Sequence, residues 1–409
     1  MALVNMRDLL NHAYHGHYAV GAFDVISLEF LQGVLQGAEE ARAPVILNFV
    51  VPQFRYYDFE LLAAAAVAGA RRSPVPVALH LDHAADLDHV TLGIRHGCNG
   101  VMIDGSHLPF EKNVELTRSV VQTAHSCGIA VEGELGIITG YAGDDQAESG
   151  PGVYTWPDEA RQYVRQTKVD FLAVSVGTVH GIRPERSDLD LERLTRINRA
   201  VGIPLVIHGG SGLTDAQCEC LIDRGVARIN YYSGLSQIAA RRLRSNCLVD
   251  RTGGAAALNQ GVSEAVRREV ARCLAVWGAA GRAEDVFAAA SPWQEVEHLI
   301  VYNSTDTDAH VEEMMEEGRR TLGAIPGVRR VFAGRAIKEG AKYRYCWLVR
   351  FAHPKVVDSY RDDPGHVAFA DTRFRPTSAA RISIDFQDTD AAAAAVRPAD
   401  AAGGRRVPG

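Results

Sequence analysis

Residues 77–84 read Val-Ala-Leu-His-Leu-Asp-His-Ala. The apolar, β-branched start predicts a buried strand. The strand then ends on an acid and a histidine, Asp82 and His83, where an ordinary core strand would end on a turn. Similar apolar runs recur in "YAVGAFDV", "APVILNFV", "NGVMIDGS", "IAVEGELG", "DFLAVSVG", "IPLVIHGGSG" and "ARINYY", most of them followed by amphipathic stretches such as "SLEFLQGVLQGAEEARA". Strands that are apolar throughout and alternate with helices predict a parallel sheet buried on both faces. Eight such units in the first ~250 residues predict a closed (β/α)8 TIM barrel, an α/β fold.

Outward from these strands the pattern changes once. Near "GRAEDVFAAASPWQEVEH" the barrel periodicity stops. From Val296 the order becomes strand, helix, two strands, helix, strand, which predicts a small ferredoxin-like α+β domain. The expected division is a barrel over 1–288, a linker over 289–295, the second domain over 296–388, and a disordered, alanine-rich tail over 389–409. A net charge of −7 argues against a nucleic-acid partner. No apolar run is long enough for a membrane span, and the first residues lack the apolar core of a signal peptide. Seven scattered cysteines fit reduced thiols, so a cytoplasmic location is expected.

A barrel of this kind does its chemistry where the strands end. Those ends carry Asp82-His83, Asp104, Glu132-Gly133-Glu134, His180-Gly181, His208-Gly209-Gly210-Ser211 and Asn230. Three histidines on one rim predict a divalent metal site, and neutral imidazoles suit zinc. Asp104 and Glu134 could hold a second cation or orient the first set of ligands. The glycine-rich turn after His208 could cradle a phosphate with its N–H groups, Ser211 adding a hydroxyl.

The motifs "HLDHA", "GVMIDGSHLPFEKN", "VEGELG", "GTVHG", "IPLVIHGGSGL" and "ARIN", in this order, resemble the class II, zinc-dependent ketose-bisphosphate aldolases, such as those acting on fructose and tagatose bisphosphates. The resemblance spans about residues 1–285. It implies one zinc per chain on His83, His180 and His208. It implies dihydroxyacetone phosphate, or a close analogue, as the donor, with the metal polarising its ketone and stabilising an enediolate. Asp82 would serve the aldehyde oxygen of the second substrate, and Asn230 would lie beside the donor. The donor phosphate would lie against Gly181, Gly209 and Ser211, with Ser233 nearby.

The sequence departs from the family at four places. The loop glutamate that removes the donor's proton falls near Ala142, leaving Asp144, Asp145 or neither as base. The second strand has Val50 where a serine is usual. The early "AFN" reads Ala22-Phe23-Asp24. The eighth-strand motif reads Asn230-Tyr231-Tyr232-Ser233. Retained ligands with altered substrate positions suggest an altered acceptor or altered donor handling. Two alternatives stand beside the aldolase reading: a metal-dependent lyase or epimerase of another substrate, and a weakly catalytic sugar-phosphate-binding scaffold.

Residues 296–387, with "VEHLIVYN", "IPGVRRVFAGR" and "YRYCWLVRFAHPKVVDSYRDDPGHVAFAD", resemble the stress-responsive dimeric α/β-barrel (Dabb) domains. These pair through their sheets, which implies a homodimer or higher homo-oligomer. One relative is an aldol cyclase that works with His and Tyr residues. His298, Tyr360 and His366 match those positions, which would make this domain a second, cyclase-like site.

Overall fold

The computed structural model describes residues 2–138, 153–181 and 188–389. Ala142, Asp144 and Asp145 therefore lie outside the described residues, as does the expected tail from residue 390 onward.

Eight parallel strands close into a barrel in sequence order: β1 (Val20–Asp24), β2 (Val45–Val50), β3 (Val77–Ala84), β4 (Gly100–Ile103), β5 (Ala130–Leu135), β6 (Phe171–Val174), β7 (Leu205–Ile207) and β8 (Val226–Tyr231). β1 pairs with β8 to complete the ring. Every residue of these strands is buried, apart from a partly open rim, as expected for a sheet with helices outside and side chains filling its centre. The register sets Asp24, Asn48 and His80 side by side on three neighbouring strands, and Val50 beside Asp82.

The last segments form the predicted small domain. Strands β9 (Val296–Ser304), β10 (Val328–Arg335), β11 (Tyr345–Phe351) and β12 (Ser378–Phe386) make an antiparallel sheet in the order β10-β11-β9-β12. Helices Asp308–Gly323, Val356–Asp362 and Pro364–Phe369 cover one face. The alternating burial of β11 follows from this: Tyr345, Trp347, Val349 and Phe351 face the helices. Across the other face, Phe332, Leu348, Leu299 and Ile384 form one lateral row through all four strands.

The second domain sits against the N-terminal end of the barrel strands, away from the mouth. Arg95 Nη2 donates to the carbonyl of Gly323 at 2.9 Å, and Arg329 Nε donates to that of Ile94 at 3.3 Å. Both barrel groups close the helix that leads into the start of β4. Gly128, just before β5, has φ of +75° and lies so close to His353 that a Cβ would come within 2.5 Å of its ring. Residues of the expected linker are docked. Trp293 N–H donates to the carbonyl of Leu3 at 2.9 Å, Asn5 N–H to that of Ser291 at 2.8 Å, and Glu295 pairs with Arg71 and Arg329.

Candidate active site

The site is built from polar residues at alternate positions of otherwise apolar strands: Asn48 on β2, His80 and Asp82 on β3, Glu132 and Glu134 on β5, Arg228 and Asn230 on β8. Period two puts each set on one face, here the barrel interior. His83 breaks that period. Its φ is +51°, a left-handed conformation that a non-glycine residue adopts at some cost, and the β3–β4 register slips between Leu81 and Ala84. The bulge lets His83 join Asp82 at the mouth, where strict alternation would send it outward.

His83, His180 and His208 meet there. Their ring centroids are 5.4 Å (83–180), 4.8 Å (83–208) and 5.7 Å (180–208) apart, and one nitrogen from each lies within 4.8 Å of the others. His83 Nδ1 is bonded to Asp104 Oδ2 at 2.8 Å, leaving Nε2 for a ligand. His208 Nε2 is bonded to Glu132 Oε1 at 3.1 Å. Its Nδ1 is buried without a hydrogen-bond partner, as is Glu134 Oε2. Burial, then the neighbouring His83 and His208, push the His180 imidazole well below its usual pKa, so it is neutral. Fixed rings, a neutral third imidazole and orphaned donor atoms fit a divalent cation of the zinc type. Asp104 and Glu134 come together with His83 as a second group of potential ligands.

Beneath the rim lies a fully buried guanidinium. Arg228 pairs with Glu132, approaches His80 Nε2 at 3.1 Å, and donates to Asn48 Oδ1 at 3.2 Å. Burial and Arg228 hold His80 well below its usual pKa. Because Arg228 can only donate, His80 Nε2 accepts and its Nδ1–H donates to Asn48 Oδ1, 3.0 Å away. Asn48 is thereby fixed with its amide group toward the mouth. Its Nδ2 donates to Asp24 Oδ1 and to Asp82 Oδ2, both at 2.8 Å. Asn230 Nδ2 adds a second bond to Asp82 Oδ2 at 2.9 Å.

Asp82 is held ionised. Burial opposes its charge, but His83, His208, Arg228 and His80 outweigh it and keep the carboxyl well below the usual range. Asp24 differs: burial dominates, and its carboxyl is pushed up to about 7. The pocket is lined by Asp24, Val50, Asp82, His83, His180, Gly181, Gly209, Ser211, Asn230, Tyr231, Tyr232 and Ser233. All the expected rim positions of substrate binding thus share one cavity. Gly209 has φ of +74° and approaches the Val179 carbonyl so closely that any side chain would collide with it. Ser211 Oγ accepts from Gly234 N–H at 3.0 Å, tying the glycine-rich turn to the first turn of helix Ser233–Val249.

In the second domain, His298, Tyr360 and His366 also come together. His298 and Tyr360 rings lie 6.1 Å apart, and Tyr360 and His366 rings 4.3 Å. Asp385 on β12 joins them, its Oδ1 2.6 Å from His298 Nδ1.

Glu132 as partner of His208, and the roles of Arg228, Asn48 and His80, were not expected from sequence. Their signal is the period-two placement of polar residues within buried strands.

A family model described as class II fructose-bisphosphate aldolase matches residues 4–282, and one described as the stress responsive A/B barrel domain matches residues 296–388. Among solved structures, the YdjI aldolase from Escherichia coli K12 is 33% identical, over 69% of this chain and 99% of that one, with a TM-score of 0.61. A candidate fructose-1,6-biphosphate aldolase from Coccidioides immitis is 32% identical, over 68% of this chain and 97% of that one, with a TM-score of 0.62. The fructose-bisphosphate aldolase from Campylobacter jejuni is 21% identical, over 68% of this chain and 96% of that one, and shares the fold with a TM-score of 0.58.

Proposed function

The chain belongs to the class II fructose-bisphosphate aldolase family and is a lyase, and we propose that it is a zinc-dependent aldolase cleaving and forming a phosphorylated ketose with dihydroxyacetone phosphate as donor. The observation that carries this reading is the meeting of His83, His180 and His208, two of them bonded to carboxylates and one nitrogen of each within 4.8 Å of the others. They would hold one zinc ion, which supplies Lewis acidity toward the donor's ketone oxygen. Asp104 and Glu134 orient this set or take a second cation.

Asp82 is the proton carrier at the second substrate. In cleavage its carboxylate takes the proton from the hydroxyl beside the breaking carbon–carbon bond. The oxygen becomes the aldehyde carbonyl, and the bond's electron pair stays with the donor fragment. In condensation Asp82 returns that proton. The amides of Asn48 and Asn230 keep the carboxylate facing the cavity. Gly181, Gly209, Ser211 and Ser233 would take the donor phosphate, with Asn230 beside the donor.

Dimerisation of the full chain is supported by the sheet face of the second domain. Phe332, Ile382, Ile384 and Phe386 are each more than 40% exposed there, and a second copy would cover them. The His298–Asp385 bond beside Tyr360 and His366 favours a second reading for this domain, acid–base handling of an aldol product. No described helix is long and apolar enough to cross a membrane.

The test is metal analysis of the purified full chain, with retro-aldol assays on ketose phosphates before and after chelation. Stoichiometric zinc and cleavage that is lost with the metal and restored by it are expected. Cleavage that persists in fully stripped protein would end the proposal.

A further inference from the structure

We infer that the acceptor aldehyde ends in a hydroxyl rather than a phosphate, and that Asp24 is the specificity-determining residue that reads it. This rests on the aldolase reading above. The donor cradle is made by the loops after β6, β7 and β8, and Asp82 closes β3. Among the described residues, the cavity wall left for the far end of the acceptor is the β1–β2 sector, which presents Asp24 and Val50.

Among the described residues that sector presents no cation, and its one orphaned hydroxyl, Tyr57 Oη, is not part of the cavity lining. Asp24 is buried, and its two oxygens each accept one bond from a neutral amide, Asn48 Nδ2 at 2.8 Å and Gln53 Nε2 at 3.1 Å. A carboxylate has about four acceptor positions, so capacity remains. Gln53 Oε1, Asp82 Oδ1 and Asn230 Oδ1 are also buried acceptors without a partner. Val50 offers no polar group, and among the described residues no Lys or Arg lines the cavity. A phosphate brings only charge and acceptors, and at Asp24 it would meet a carboxyl group with no described cation in the lining to offset it. A hydroxyl brings the donor these oxygens lack.

The experiment uses the full-length, zinc-loaded protein and measures condensation of dihydroxyacetone phosphate with glyceraldehyde and with glyceraldehyde 3-phosphate. The wild type is expected to favour glyceraldehyde in kcat/KM by at least about tenfold. Asp24→Asn replaces an acceptor atom with a donor and should shrink that preference by about tenfold, chiefly through the acceptor KM. Val50→Ser, which adds a donor without touching Asp24, should move it the same way and serves if Asp24→Asn fails to fold or to hold zinc. A wild-type preference for glyceraldehyde 3-phosphate overturns the inference, as does an unchanged ratio in a folded variant. Exchange of the donor's C–H proton by the wild type alone, without acceptor, separates the two claims. Exchange together with a preference for the phosphorylated acceptor sinks only the inference about Asp24. Neither exchange nor condensation sinks the aldolase reading beneath it.

Discussion

Two of the molecule's histidine–carboxylate bonds, of nearly equal length, lie at opposite ends. His83 Nδ1 meets Asp104 Oδ2 at 2.8 Å at the barrel mouth, and His298 Nδ1 meets Asp385 Oδ1 at 2.6 Å in the second domain. Their surroundings differ. Around His83 the groups are buried or half-buried, two more imidazoles converge, and several polar atoms lack a partner. Around His298 the carboxylate is 44% exposed, and the neighbours are aromatic rings rather than further ligands. A histidine held by an acid is thus a part that either kind of site can use. Convergence and unsatisfied atoms mark the end proposed to bind the metal.

The largest test of that contrast removes a ligand. His208→Ala is expected to lose zinc and to lower cleavage by about three orders of magnitude or more, read by metal analysis and steady-state kinetics. A variant that kept both zinc and activity would place the centre elsewhere. Next comes Asp82→Ala, expected to keep its zinc while losing roughly 10²- to 10⁴-fold in carbon–carbon cleavage. Donor proton exchange should suffer less, and equal loss of both steps would contradict the role given to Asp82.

The two pairs can then be compared directly. Asp104→Asn should weaken zinc affinity or activity by about 10- to 100-fold, because it releases the ring of a ligand. Asp385→Asn should leave zinc content intact and change barrel cleavage by less than about twofold, since its partner touches no part of the mouth. An Asp385→Asn protein with damaged barrel kinetics would show that the two ends are energetically coupled. If Asp385→Asn instead changes the final product while cleavage stays normal, the cyclase-like reading of the second domain gains.

Much of this was legible in the chain because the signals are local. Eight apolar runs with helices between them specify the barrel, and the polar residues at most of the strand ends fall at its mouth. The wiring beneath the mouth was not legible. Arg228 and Glu132 lie 96 positions apart and meet only across a closed barrel. Asn48 resembles a lone polar residue in a strand until the register puts it between Asp24 and His80. The turn of His83 is likewise invisible, because a left-handed histidine carries no sequence mark comparable to that of glycine.

In the strip from Leu3 to Asn5, Leu3 bridges to Val77 at the start of β3 and Val4 N–H donates to the Val77 carbonyl, while Asn5 N–H donates to Ser291 and the Leu3 carbonyl accepts from Trp293. A growing chain makes this strip before any barrel strand, yet its second set of partners emerges about 290 residues later. During synthesis the floor of the barrel therefore stays unlatched until the junction with the second domain has left the ribosome. The barrel can gather its eight strands in order, but its floor is latched only after all of them have emerged.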